Sequence, residues 1–482
     1  MTELSRRPRS EPSTDAPLQP FRFLWIAGAC LLVALWVWRV LGPAQPAGET
    51  SLSTPPIAKS TVRPASVGVV VPRPRIPGAS VVALDTTATE VVAGKLNEFA
   101  KARRAVVHAM AQKLGVAVPA DVDRYFDAVE GRRWEEADEL FLSLKKRRDE
   151  SQPRSRELDS LFPAVHETVG VSEVVREWPA EQLLEYGNRI LGSLRPGMVY
   201  LGGTDAGRYI PTLLAETSEE RPIVLTQNAL ADNSYLEYAR FLHGDRINAL
   251  TPEDSNRAFQ DYVEDARRRY EHGQQFPNEP PQIKPGEQVE VFGGKTQVGG
   301  QVAVMAINER LTQALMQRNP GTSFAMEESY PFAASYAQAT TLGPVLELGV
   351  SDASQLLTAD RAAQSVEYWK TTANTMGGPD ENSSSAEQRR AYAKMAAAQA
   401  GLLNQAGFSE SAMETYAIAA RIHPGDPEVA FRYSDLLVQQ NRAQDAIPIV
   451  RAAVEAHPEQ SGLAQLLNRL QAMQQPSSKT TP

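Results

Sequence analysis

A 34-residue period near the C-terminal end constrains this chain more than any other feature. Leu402-Leu403 recurs as Leu436-Leu437, Gly407 as Asn441, Ala412 as Ala446, Ala419 as Ala453, and His423-Pro424 as His457-Pro458. A unit of that length holds two antiparallel helices, with small residues where they cross closely and a proline closing the second. One such pair cannot bury its own apolar face, so neighbouring repeats must stack. A final helix over 462–473, in which Leu470 echoes Leu436, is expected to cover the open end, with a polar, disordered tail at 476–482. Two repeats and a cap over 385–475 still make a small array. It is expected to lean on a helix over 359–374, within a connecting segment at 353–384, or on the domain before it.

The chain has ample material for further cores: 482 residues, 42 % hydrophobic and 22 % charged. Residues 81–160 read as a helical neck. Val91, Val92, Leu96, Phe99, Val106, Val107, Met110 and Leu114 recur at three- and four-residue intervals. A helical hairpin over 121–146 turns at Gly131-Arg132-Arg133, and the run Lys145-Lys146-Arg147-Arg148 reads as a solvated helix end. From 161 to 352 short apolar runs alternate with helical stretches. Strands are expected over 198–202, 222–226, 246–250, 324–326 and 345–348, with helices over 208–215, 235–242 and 301–316. Thr251-Pro252-Glu253-Asp254 opens another helix with a capping oxygen, a proline and first-turn acids. The fold class is therefore α/β, a mostly parallel sheet with flanking helices, joined to all-α repeats.

In such sheets ligands gather beyond the carboxyl ends of the strands. The residues expected there are polar: Gly202, Gly203, Thr204, Asp205 and Arg208 after the first strand, Gln227, Asn228, Asp232 and Asn233 after the second, and Glu327 and Glu328 closing a later one. Glycines admit a ligand to the backbone, Arg208 suits an anion, and Asp205 and Glu327 are the candidate catalytic carboxylates. The competing reading is that Asp205 and Asp232-Asn233 merely cap the helices that follow.

Other chemistries fall away on spacing. Phe292-Gly293-Gly294-Lys295-Thr296 ends like a phosphate loop, but Val289 stands where its first glycine belongs, so a hairpin turn is expected. No Gly-x-Ser-x-Gly elbow occurs, the six histidines are scattered, and the single Cys30 precludes an internal disulfide or a thiolate zinc cluster. A net charge of −9 argues against nucleic acid as a partner. No cofactor or metal is implied.

The N-terminal end has its own logic. Phe23 to Trp38 is an uncharged, mostly apolar run bounded by Arg22 and Arg39. Extended to 21–41 it spans about 31 Å as a helix, enough for a bilayer core. Arg6, Arg7, Arg9 and Arg22 precede it, which predicts a cytoplasmic tail at 1–20 and export of everything beyond. A cleaved signal peptide is the alternative, with a small-x-small site at Gly42-Pro43-Ala44. The proline-rich stretch at 42–80 reads as a tether.

Two resemblances add to this reading. The 34-residue unit, with its small and turn positions, resembles the tetratricopeptide repeat, which implies a groove for a protein partner. Gly202-Gly203-Thr204-Asp205 with Arg208, and Thr226-Gln227-Asn228-Ala229-Leu230-Ala231-Asp232-Asn233, are similar to the soluble C-terminal region of a family of uncharacterised bacterial membrane proteins. Those proteins resemble protein O-mannosyltransferases and commonly carry such repeats. The likeness runs from about residue 120 to 460, and the family's multi-span catalytic part has no counterpart in this sequence. It implies the fold and an envelope setting rather than a transferase. The expectation is a membrane-anchored scaffold binding a protein through 385–475, its α/β domain taking a small polar ligand. The alternative is an enzyme acting on glycans or phosphate esters.

Overall fold

The computed structural model describes residues 87–150, 156–284, 286–292, 295–350, 352, 356–376 and 385–473. The expected span at 21–41, the tether at 42–80 and the tail at 476–482 lie outside them. Among the described residues no helix is long and apolar enough to cross a membrane.

Thr87 starts α1 (Ala88–Leu114) with a reciprocal capping box to Glu90, and Gly115, at φ 66°, stops it. The expected hairpin follows as α2 (Ala120–Glu130) and α3 (Trp134–Glu150), with Arg132 left-handed in the turn. Then come α4 (Arg156–Glu177) and α5 (Ala180–Leu191). The boundary expected at 160 falls inside α4. Val92, Leu96, Phe99 and Val107 of α1 share one continuous core with the sheet, so the neck is packed onto the α/β body.

The sheet elements are β1 (Val199–Gly202), α6 (Asp205–Glu216), β2 (Ile223–Thr226), α7 (Asn233–His243), α8 (Pro252–Gln275), β3 (Gln288–Phe292), β4 (Lys295–Gly299), α9 (Gln301–Arg318), β5 (Phe324–Glu327), β6 (Ala339–Leu342) and β7 (Val345–Leu348). The five-stranded sheet runs β2-β1-β5-β7-β6, and β3 and β4 form a separate antiparallel hairpin. β1 pairs in parallel with β2 and β5, and β7, lying between β5 and β6, runs antiparallel to both, so that it alone opposes the other four strands of this sheet. The sheet is thus mixed, with two parallel and two antiparallel pairings and one strand reversed against the expected parallel set. The reason is local: Gly343, at φ 54°, turns the chain tightly between β6 and β7, and so short a connection permits only antiparallel pairing.

No strand forms at 246–250. Arg246 and Ile247 both donate to His243 O at 2.9 Å, winding the chain off the end of α7. Asn248 then donates its backbone N–H to Asn319 Oδ1 (2.8 Å) and accepts from Asn319 Nδ2 (3.1 Å). A side-chain amide thereby takes the place of a neighbouring strand.

The C-terminal helices are α10 (Ala359–Thr375), α11 (Ala386–Gln405), α12 (Ser409–Ile422), α13 (Pro427–Gln439), α14 (Ala443–Ala456) and α15 (Ser461–Ala472). The period has a physical origin at each offset. Gly407 (φ 89°) and Asn441 (φ 59°) are left-handed at equivalent turns, and Ala412, Ala419, Ala446 and Ala453 are fully buried where the helices cross. The array is not a free-standing appendage. Helix α11 is buried on nearly every face, and Gln399 at its middle is saturated. Its Nε2 donates to Gly343 O (2.8 Å) and Val345 O (2.9 Å), and its Oε1 accepts from Ser365 Oγ (2.6 Å) and Trp369 Nε1 (2.9 Å). One core runs from Val92 to Leu436, and a smaller one, built around Phe431, Val450 and Leu466, belongs to the last hairpin and the closing helix.

Candidate functional site

The chain moves from β1 to β2 on one flank and later returns to place β5 on the other flank of β1, so the order reverses at β1–β5, and the carboxyl ends of these two strands mark the place where an α/β sheet usually takes its ligand. In this protein that place is filled from within. Glu327, 2 % exposed, directs Oε2 at the start of α6, accepting from Gly203 N (3.0 Å) and Thr204 N (2.8 Å). A helix N-terminus offers uncapped amides and a positive field, and the chain supplies the matching carboxylate itself.

The glycines serve the same closure. A Cβ on Gly207 would lie 2.1 Å from Glu327 Oε2, and one on Gly203 would lie 2.4 Å from Ser329 N. Asn228 Nδ2 donates to Gly203 O (3.1 Å), and Gln227 Oε1 accepts from Ser329 N (3.3 Å), stitching the three strand ends together. Gly202 abuts the backbone of Arg208 and Gly207. These glycines admit the protein's own chain rather than a ligand.

The remaining candidates are similarly engaged. Thr204, not Asp205, caps α6, its Oγ1 accepting from Gly207 N (3.0 Å), while Asp205 pairs with Arg208. Asp232 caps α7 by accepting from Ser234 N (2.9 Å), and Asn233 is the first residue of that helix. Glu328 leaves the strand ends altogether and meets Arg432 of the repeats at 2.9 Å. Arg208 and Asp232 are brought together with Arg148 and His166 around a cavity of about 70 Å³. That is far below the roughly 300 Å³ at which small-molecule pockets begin.

Burial pushes the Glu327 carboxyl up to about 6, against the pull of the Thr204 and Gly203 amides. The folded state therefore holds this proton to about pH 6, whereas the unfolded chain releases it near 4.5. Between those values the folded state binds more protons, so this group's contribution to stability falls as pH rises. Comparing the parent with Glu327→Gln, the variant is expected to gain about 2 kcal/mol on the parent between roughly pH 4 and pH 7. Denaturation at several pH values checks this, and a pH-independent difference contradicts it.

A larger cavity, about 400 Å³, lies elsewhere, against the outer edge of β2 and between α1, α6 and α7. Arg103 is at its base, 4 % exposed and stacked over Phe99. It donates Nε to Glu167 Oε2 (2.5 Å) and Nη1 to Glu216 Oε2 (2.7 Å), and Tyr238 OH donates to the same Glu167 oxygen (2.6 Å). Burial alone would lower the Arg103 pKa, but Tyr238, Glu167 and Glu216 raise it above the usual value. Burial also pushes His243, on the same wall, down to about 4. Strongly perturbed groups around a cavity of this size mark a candidate site.

Sequence reasoning placed none of these residues. One signal was present: Arg103 stands on the apolar stripe of α1, four residues from both Phe99 and Val107, where a charged side chain must find partners. Among the described residues no three His, Cys, Asp or Glu side chains converge as metal ligands. Compared with known proteins, the chain matches no family model, no curated protein and no solved structure.

Proposed function

We propose that the protein is a membrane-tethered, envelope-facing scaffold without catalytic activity, in which the helical repeats bind a protein partner. The observation carrying this reading is the occupation of the strand-end crevice by Glu327, which, with Asp205 paired to Arg208 at the surface, leaves both carboxylates considered for catalysis engaged by the protein's own groups. The repeats supply the other half of the argument. Their geometry agrees with the likeness to tetratricopeptide units, down to left-handed turns at Gly407 and Asn441. Because α11 is built into the body, the surface for a partner is the outer part of the array, α13 to α15. The α/β body then acts as the rigid base that holds this surface away from the bilayer.

The test is quantitative affinity enrichment from gently solubilised membranes. Removing the whole array would strip α11 from the core, so the informative variant leaves the fold intact. Ala464 and Asn468 are exposed on α15, and replacing both by glutamate changes the surface alone. Proteins enriched by the parent and lost from Ala464→Glu/Asn468→Glu support docking on the outer array. Identical lists from the two proteins remove it.

A further inference from the structure

The cavity beside β2 has an arrangement of charge that selects a class of ligand. At its base one cation, Arg103, is shared by two carboxylates, Glu167 and Glu216, leaving one net negative charge. Each carboxylate engages Arg103 through Oε2, and among the described residues no hydrogen bond reaches Oε1 of either. Lys95, also on α1, is committed to Thr217, at 3.0 Å from its Oγ1. His243 is uncharged at neutral pH.

The mouth carries the opposite sign. Among the residues lining it, Arg221 and Arg246 are exposed there against a single acid, Asp245, with Glu219 and Glu220 outside the lining, and Arg246 Nη1 is oriented by a 2.9 Å bond to Arg221 O. Arg221 itself is held at φ 40°, a left-handed conformation that non-glycine residues rarely adopt and that tends to persist where a site requires it. Between base and mouth the wall is apolar, formed by Val106, Ala215, Val224 and Leu242.

We propose that this cavity binds a small zwitterion of the α-amino-acid type, its ammonium against Glu167 and Glu216, its carboxylate toward Arg221 and Arg246, and an aliphatic side chain along the apolar wall. The inference is independent of what the repeats bind. The volume is of ligand size, and a cavity with separated poles of opposite sign orients a dipolar guest while disfavouring either ion alone. The bland alternative is that Arg103, Glu167, Glu216 and Tyr238 serve only to tie four helices together. It predicts no dependence of ligand binding on their charge.

The experiment is isothermal titration calorimetry of the full detergent-solubilised chain with L-leucine, L-valine and L-methionine, and with isoamylamine and isocaproate as the two halves of leucine. At least one amino acid is expected to bind, and both half-molecules at least about tenfold more weakly. Glu216→Gln keeps a hydrogen-bond acceptor for Arg103 and cancels the net charge at the base. It should weaken the amino acid and the amine by about tenfold or more without touching the acid. Arg246→Gln should weaken the amino acid but leave the amine unchanged. No heat from any of the three amino acids overturns the proposal, as does undiminished affinity in Glu216→Gln. Far-ultraviolet circular dichroism of both variants separates loss of ligand from loss of fold.

Discussion

Replacing Arg432 by methionine should lower the stability of the junction between the repeats and the α/β body by about 3–5 kcal/mol. Glu328 is buried to 1 % of its side chain, and Arg432 Nη2 is its only cationic hydrogen-bond partner among the described residues. Tyr336 OH donates to both of its oxygens, at 2.8 and 2.7 Å, but a phenol does not neutralise a carboxylate. The network continues from Arg432 to Glu428 (3.7 Å) and from Glu428 to Lys394 (3.1 Å), so two anions face two cations in a nearly dry interface. Removing one cation leaves a surplus negative charge where water cannot reach it. Burial already raises the Glu328 pKa, and the variant would drive it further until the acid takes up a proton. Chemical denaturation measures the loss, and amide exchange should place it in α11 to α13. Adding Glu328→Gln to Arg432→Met should restore most of the stability, because the unpaired charge is then gone. A double variant as unstable as the single one would show that packing, not charge, holds the junction.

How far the sequence discloses this molecule depends on how local each cause is. Thr251-Pro252-Glu253-Asp254 predicts the start of α8 correctly because a capping box is complete within four residues. The 34-residue period survives for the same reason, since its turn and crossing positions recur inside each unit. Arg246 to Leu250 misleads because Ile247 and Leu250 are buried like strand residues, while the hydrogen bonds that decide their conformation come from Asn319, far along the chain. β6 escapes notice because Ala339-Thr340-Thr341-Leu342 has little apolar signal, and it becomes a strand through its tight turn onto β7. The site divides in the same way. That the strand ends are polar is legible; that Glu327 reaches back across more than a hundred residues to close them is not. The Glu167–Arg103–Glu216 triad needs three helices brought together before it exists at all.

The closure of the strand ends makes a second strong prediction, at Gly203. Gly203→Ala should destabilise the protein by about 3 kcal/mol, near the upper end for overpacking. Conformation is not the obstacle, because Gly203 is absent from the positions with positive φ. Space is. The added methyl would lie 2.4 Å from Ser329 N and 2.5 Å from both Glu327 O and Gln227 Oε1. Two of those three atoms are backbone just beyond or within β5, and β5 is clamped between β1 and β7. A flexible side chain could swing aside; a strand paired on both edges cannot. Any relief must separate Gly203 from β5, which breaks its bond to Glu327 Oε2 and strands a buried carboxylate with fewer donors. Gly94 offers the matched control. It is exposed within α1, a Cβ there meets nothing within 4 Å, and Gly94→Ala should stabilise the helix by about 0.5–1 kcal/mol. If Gly203→Ala instead proves neutral and the crevice proves able to take up a small molecule, the strand ends are open in solution and the enzymatic reading returns. Opposite signs at the two glycines would establish that Gly203 is held as a glycine by the close approach of β5.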